Sequence, residues 1–100
     1  MVASLSGTFG RKTLGSGSLT IGRNAANQLV VNDDKVSAHH AEIRPVGQGY
    51  SIIDLKSTNG TFVNEQKIAH NQLHPLKSDD IIRVGDTRLT YEVSSAPDLD

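Results

Sequence analysis

Hydrophobic and polar residues alternate along short segments of the chain, and Gly, Asn and Asp separate one segment from the next. In SLTIG (18–22), Leu19 and Ile21 fall on one side of an extended chain, with polar residues between them. HAEIRPV (40–46) and TRLTYEV (87–93) have the same two-residue period. This period is typical of strands that bury one face and expose the other, so each of the three segments is predicted to be a strand.

Further short strands are predicted between these segments and after them. They are QLVVN (28–32), YSIIDL (50–55), TFVN and QKI on either side of Asn64-Glu65, and DIIRVG (80–85). Asn64-Glu65 is predicted to form a hairpin turn. No window of helical length has an apolar period near 3.6 residues. The pattern therefore predicts an all-β fold, an antiparallel β-sandwich whose loops gather at its two ends.

The length and composition set limits on this fold and on its function. One hundred residues suit a single small domain, which we place at residues 1–93. The polar, acidic residues 94–100 are expected to form a disordered tail. The absence of cysteine excludes a disulfide framework, thiol catalysis and cysteine-ligated zinc. A net charge of −1 lacks the basic excess typical of duplex binding, so we do not expect a nucleic-acid partner.

Localisation can also be addressed from the sequence. The first ten residues, MVASLSGTFG, contain neither the basic region nor the apolar run of a signal peptide. No segment approaches the roughly 20 apolar residues that a membrane-spanning helix needs. We therefore expect a soluble, cytoplasmic protein without membrane insertion, and the sequence indicates no cofactor.

Three predicted loops contain the candidate chemistry. Arg23 follows one strand, Ser37 lies between two strands, and Thr58 and Asn59 lie between two more. The guanidinium of Arg23 can bind a phosphate through two parallel hydrogen bonds. The hydroxyls of Ser37 and Thr58 can donate to the same group, and the carboxamide of Asn59 can both donate to and accept from a peptide main chain. This set suits a phosphorylated side chain and the peptide around it.

The motifs IGR (21–23), VSAHHAEI (36–43) and DLKSTNGTFVN (54–64), in this order, resemble those of the forkhead-associated (FHA) domain. The resemblance covers roughly residues 18–93. It implies a β-sandwich of about eleven short strands that binds phosphothreonine peptides through loops at one end. The matching positions imply that Arg23, Ser37 and Thr58 bind the phosphate. They imply that Asn59 binds the peptide main chain.

The resemblance also assigns supporting roles and identifies one departure. Gly22 would allow a close approach between backbone segments, His40 would hydrogen-bond across loops, and Gly60 would close a turn with a positive φ. Many family members have Arg or Asn directly after the serine, where this protein has Ala38, so one polar contact to the ligand is lost. Lys35 is a candidate peptide-binding residue that selects an acidic residue on the C-terminal side of the phosphothreonine.

Two other kinds of site can be considered and are not expected. Ser37, His40 and Asp54 have the residue types of a hydrolytic triad, but the sequence has no Gly-x-Ser-x-Gly elbow and no evident oxyanion hole. Adjacent histidines on a strand, such as His39 and His40, point to opposite faces, and no third ligand has matching spacing for a metal. The sequence therefore predicts neither catalytic residues nor a metal site.

The predicted function is phosphothreonine-peptide binding, a non-catalytic protein–protein interaction in signalling. Two alternatives remain open. One is a phosphate-independent interaction module, in which the faces of the sandwich bind a fixed partner; the lost polar contact at Ala38 keeps this alternative open. The other is a regulatory domain of a larger protein that binds a phosphothreonine within its own parent polypeptide.

Overall fold

A computed structural model describes residues 2–94. Over that range the protein forms eleven strands and no helix, which confirms the predicted all-β class. In sequence order the strands are β1 (Val2–Gly7), β2 (Gly10–Thr13), β3 (Leu19–Gly22), β4 (Leu29–Val30), β5 (Ala41–Val46), β6 (Gly49–Asp54), β7 (Thr61–Val63), β8 (Gln66–Lys67), β9 (His74–Pro75), β10 (Ile81–Val84) and β11 (Thr87–Ser94). The same range contains no helix long and apolar enough to cross a membrane.

The strands form two sheets. The six-stranded sheet has the order β2-β1-β11-β10-β7-β8, and the five-stranded sheet has the order β4-β3-β5-β6-β9. Strands β3 and β4 pair in parallel, with Ile21 opposite Leu29 and Gly22 opposite Val30, so a purely antiparallel arrangement is wrong at this pair. Because parallel neighbours cannot be joined by a tight hairpin, the polypeptide leaves β3 in a loop that begins at Arg23.

Apolar side chains from both sheets fill the space between them. Most of the predicted alternation is confirmed, since Leu19 and Ile21 of β3 and Leu89 and Tyr91 of β11 are buried, whereas Val93 is only partly buried. Complete burial of one such side chain contributes roughly 1.5–3 kcal/mol to stability. The fully buried aliphatic residues are Leu5, Ile21, Ala41, Ile43, Ile52, Ile82, Val84 and Leu89.

The two ends of the described region pair with each other. The sequence pattern did not predict β1, because Ala3, Ser4 and Leu5 are all buried and the strand shows no alternation. β1 lies between β2 and β11, and Val2 pairs with Ser94, the first residue of the predicted tail. Residues 95–100 lie outside the described residues.

Four loops meet at one end of the sandwich. The β3–β4 loop is joined to the β4–β5 loop by the bond from the Arg23 main-chain nitrogen to the Ser37 carbonyl, 3.0 Å. The β6–β7 loop joins them through the Thr58 nitrogen, 3.0 Å from Ser37 Oγ. The β10–β11 turn is attached through the Asp86 nitrogen, 2.8 Å from Asp33 Oδ2. Residues far apart in sequence therefore share one surface.

Candidate functional site

Arg23 and Ser37 are neighbours because the β3–β4 and β4–β5 loops run side by side. Besides the bond between the Arg23 nitrogen and the Ser37 carbonyl, the Asn24 nitrogen donates to the Ala38 carbonyl at 3.2 Å. The buried side chain of Asn27 donates to the same Ala38 carbonyl through Nδ2 at 2.6 Å. Main-chain bonds and one buried amide therefore fix the spacing between the main chain at Arg23 and the main chain at Ser37.

Gly22 is required for this close packing. A Cβ atom at Gly22 would lie 2.2 Å from the Ala38 carbonyl oxygen and 2.7 Å from Asn27 Nδ2. Since the first of these atoms belongs to the main chain, the two loops would have to move apart to accept even one methyl group. Gly22 thus has the close-approach geometry that the sequence predicted for it.

We expect Gly22→Ala to lower the free energy of unfolding by about 1–3 kcal/mol, the usual cost of forcing extra volume into a packed region. Gly15→Ala is the matched control, because a Cβ at Gly15 would meet no atom within 4 Å. Chemical denaturation of the two variants and the wild type measures the difference. Equal stability of both variants would show that the loops separate without cost.

His40 connects the β4–β5 loop to the β6–β7 loop on the interior side of both loops. Its side chain is completely buried. Nδ1 accepts a hydrogen bond from the Ser37 main-chain nitrogen at 3.1 Å, and Nε2 lies 2.9 Å from the Gly60 carbonyl. A carbonyl oxygen can only accept, so Nε2 carries the ring hydrogen. Both ring nitrogens are thus bonded to main-chain atoms, and the imidazole meets the nitrogen of Ser37 rather than its hydroxyl.

The exposed side of the β6–β7 loop contributes Thr58 and Asn59. The Thr58 nitrogen donates to Ser37 Oγ, which leaves the hydroxyl hydrogen of Ser37 free to point elsewhere. Asn59 Nδ2 donates to the carbonyl of Lys35 at 2.8 Å. Both Thr58 and Asn59 are exposed. Gly60 has a φ of +88°, the left-handed conformation that the sequence predicted for this glycine.

Asp54 organises the β6–β7 loop from the protein interior. This carboxylate is completely buried and accepts hydrogen bonds from Ser57 Oγ (2.5 Å), Thr61 Oγ1 (2.6 Å), the Ser57 nitrogen (3.1 Å) and His70 Nδ1. Burial by itself would raise the pKa of Asp54, but the bonds from Ser57, Thr61 and His70 outweigh it and lower the pKa. Ser57 Oγ accepts in turn from the Gly60 nitrogen at 2.9 Å.

The two basic side chains at this surface each have a carboxylate partner. Arg23 Nη1 lies 3.7 Å from Asp34 Oδ1, and Lys35 Nζ lies 3.1 Å from Asp86 Oδ2. Asp33 connects these partners, because its carboxylate accepts from the main-chain nitrogens of Lys35 and Asp86. Hydrogen bonds from those two nitrogens, first Lys35 and then Asp86, lower the pKa of Asp33.

The loops enclose a shallow groove of about 300 Å³. All five residues that the sequence proposed for ligand contact line it, while Gly22, His40 and Gly60 support the surrounding loops. The sequence did not predict that Asp34 also lines the groove, nor that Asn27 and His70 support it. The lining residues are Arg23, Asp34, Lys35, Val36, Ser37, Ala38, Thr58 and Asn59.

Neither the hydrolytic triad of Ser37, His40 and Asp54 nor a histidine metal site has the arrangement that its chemistry needs. Within residues 2–94 no group of three His, Cys, Asp or Glu side chains is placed to hold a metal ion. Asp54 bonds His70 rather than His40, and the ring of His40 is bonded to the main chain at Ser37 and Gly60. His39 is exposed, whereas its neighbour His40 is buried.

Two curated relatives match most of this protein. The matched region is about half the length of the first relative and about a fifth of the length of the second. FhaB, an FHA domain-containing protein of Mycolicibacterium smegmatis, is 37% identical over 83 residues, which are 83% of this protein and 51% of FhaB. The transcriptional regulatory protein EmbR of Mycobacterium tuberculosis is 37% identical over 75 residues, which are 75% of this protein and 19% of EmbR.

Solved structures share the fold closely. An FHA domain studied for its phosphothreonine-dependent interactions has a TM-score of 0.86 and 33% identity, and the match covers 96% of this protein and all of that domain. Mycobacterium tuberculosis EmbR in complex with a low-affinity phosphopeptide has the same TM-score and identity over 96% of this protein and 25% of EmbR. Residues 19–85 match the family described as the FHA domain. The protein therefore belongs to the FHA domain family.

Proposed function

We propose that this domain is a non-catalytic module that binds phosphothreonine in an extended peptide and so mediates protein–protein interactions in signalling. The observation that carries the proposal is the convergence of Arg23, Ser37 and Thr58 on one exposed groove in a member of the FHA family. These residues come from three loops that are joined by hydrogen bonds, one between main-chain atoms and one from the Thr58 nitrogen to the Ser37 hydroxyl.

The groove offers hydrogen-bond donors that suit a phosphate. The side chain of Arg23 is half exposed (49%), and its guanidinium can present two parallel N–H groups. Ser37 Oγ already accepts from Thr58, so its own hydrogen is available to a phosphate oxygen. Thr58, which is exposed, adds a second hydroxyl. A phosphorylated side chain carries about −1.5 to −2 charges at pH 7. Hydrogen bonds from these groups to its phosphate are therefore charge-assisted, and such bonds are stronger than hydrogen bonds between neutral groups.

Asn59 and Lys35 extend the groove along the peptide. Asn59 uses one N–H to hold the Lys35 carbonyl, so its oxygen and second N–H can bind the main chain of an extended ligand. Lys35 is exposed beside it, where its ammonium can meet a peptide residue on the C-terminal side of the phosphothreonine. Ala38 lines the same groove without a polar group, so the phosphate has one partner fewer there.

Catalysis is not part of the proposal, because the groove lacks an activated nucleophile. A serine hydrolase needs an imidazole bonded to the serine hydroxyl and a carboxylate bonded to that imidazole. Here His40 bonds the main-chain nitrogen of Ser37, and Asp54 bonds His70. Ser37 is therefore assigned to binding.

Titration calorimetry with three matched peptides tests the proposal. The peptide sequence is the one that binds best in a degenerate library with a fixed phosphothreonine. That peptide is then synthesised in three forms, with phosphothreonine, phosphoserine or threonine at the fixed position. We expect the unphosphorylated peptide to bind at least about tenfold more weakly, because it loses charged hydrogen bonds worth roughly 1.5–3 kcal/mol each. Equal affinity for the phosphorylated and unphosphorylated peptides would instead support a phosphate-independent interaction module.

A further inference from the structure

Each cation at the groove is paired with a carboxylate that comes from the protein itself. Asp34 is fully exposed beside Arg23, and Asp86 is largely exposed beside Lys35. Taken together, these four side chains have no net charge. A phosphate that approaches Arg23 therefore competes with Asp34, and a peptide that approaches Lys35 meets Asp86.

The loops hold the main chain at Asp34 and Asp86, while the two carboxylate groups themselves are exposed. Asp33 accepts from the Lys35 nitrogen at 2.9 Å, from the Asp86 nitrogen at 2.8 Å and from Thr87 Oγ1 at 3.1 Å. This carboxylate connects the β4–β5 loop to the β10–β11 turn. Asp34 follows Asp33 directly, and Asp86 is 51 positions from Lys35 in sequence, yet the side chains of Asp86 and Lys35 meet. The negative charges thus stay at the groove when the cations turn to a ligand.

We propose that Asp34 and Asp86 select the charge of the peptide around the phosphothreonine. This inference rests on the proposed function. Once the phosphate engages Arg23, Asp34 is left without its cation, and a Lys or Arg of the peptide can replace it. Asp or Glu at the same peptide positions is repelled by both carboxylates. The preferred ligand is a phosphothreonine with basic neighbours, and Asp86 opposes the acidic preference that Lys35 alone would give.

The test compares charge preference in the wild type, Asp34→Asn, Asp86→Asn and the double variant. Three phosphothreonine peptides of otherwise equal sequence carry lysine, alanine or glutamate at the flanking positions, and their affinities are measured by fluorescence anisotropy at low salt. Asparagine keeps the size of the side chain and removes the charge. Glu92→Gln is the matched control, because Glu92 pairs with Arg11, outside the groove.

We expect the wild type and Glu92→Gln to prefer the lysine peptide over the glutamate peptide. Each Asp→Asn change should reduce that preference by up to about fivefold, the range of an exposed ion pair, and should strengthen binding of the alanine peptide. The differences should shrink at 0.5 M NaCl, where the Debye length falls to roughly 4 Å.

Two further outcomes separate the inference from the proposed function. If the Asn variants keep the wild-type preference while Arg23→Ala still abolishes the response to phosphate, the two carboxylates do not select, and the phosphothreonine site stands. If the wild type does not distinguish the phosphorylated peptides from their unphosphorylated forms, the proposed function and the inference are both wrong.

Discussion

Replacing Arg23 with alanine is expected to weaken phosphothreonine-peptide binding by about 10- to 150-fold. This range corresponds to the loss of one charge-assisted hydrogen-bond partner, worth roughly 1.5–3 kcal/mol. The Arg23 side chain is half exposed, and the partner of its guanidinium in the free protein is the exposed carboxylate of Asp34 at 3.7 Å. The phosphate therefore displaces a weak interaction and gains a strong one, and that gain is absent in the variant.

The fold should survive this substitution. The bond that ties this residue to the protein runs from its main-chain nitrogen to the Ser37 carbonyl, and alanine retains it. An exposed substitution of this kind changes the free energy of unfolding by about 0.5 kcal/mol or less. A loss of affinity with an unchanged unfolding midpoint thus assigns the effect to ligand contact.

Two further variants make the Arg23 experiment specific. Arg11→Ala removes the same charge from β2, where Arg11 is exposed and pairs with Glu92, and it should bind peptide as the wild type does. Arg23→Lys should restore binding only in part, because an ammonium cannot form the planar pair of hydrogen bonds. Wild-type affinity in Arg23→Ala, or an equal loss in Arg11→Ala, would contradict a phosphate contact at Arg23.

Much of the fold follows from local pattern, because a sheet with one buried face imposes alternation on its strands. The predicted hairpin at Asn64-Glu65 is confirmed, with φ values of +52° and +66° and with Val63 paired to Gln66. The predicted segment 28–32 shortens to Leu29–Val30. β9, which contains Pro75 at the edge of its sheet, carries no strand signal, since proline is tolerated at a sheet edge but does not indicate one.

The groove was predictable only where a local motif marks it. Arg23, Ser37 and Thr58 follow strand ends, so the sandwich brings them together as loops at one end. No local sequence pattern indicates the charged residues that pair across these loops. Asp86 reaches Lys35 from 51 positions away, and His70, which lies outside the strands, reaches Asp54 at an isolated parallel bridge that no pattern predicts. Such pairs depend on tertiary packing, which periodicity does not encode.

Replacing Asp54 with alanine is expected to lower the free energy of unfolding by about 3–5 kcal/mol, the usual cost of breaking a buried charged network. The variant leaves the Ser57 and Thr61 hydroxyls, the Ser57 nitrogen and the His70 ring without their acceptor. For a domain of this size, the melting temperature should fall by roughly 4–8 °C per kcal/mol. Asp34→Ala, which removes a fully exposed carboxylate, is the stability control.

The same substitution should also weaken peptide binding without touching the ligand. Ser57 Oγ donates to Asp54 and accepts from the Gly60 nitrogen, so it connects the buried carboxylate to the loop that presents Thr58 and Asn59. Without Asp54 this loop loses its inner support. Amide hydrogen exchange should therefore increase in residues 55–60 before global unfolding.

Acid provides an independent measure of the Asp54 contribution. The pKa of Asp54 is lowered in the folded protein from its ordinary value of 3.8, so the folded state favours the ionised carboxylate. Its stabilisation is complete above about pH 5 and is lost as the pH falls through 3.8 toward the lower folded pKa. Asp54→Asn cannot lose this contribution, so its unfolding free energy should fall less steeply over that interval than that of the wild type.

Because Asp33, which also has a lowered pKa, is present in both proteins, the difference between the two curves isolates Asp54. Parallel curves would show that Asp54 ionises equally well in the folded and unfolded states, which would contradict the role assigned to its buried hydrogen bonds.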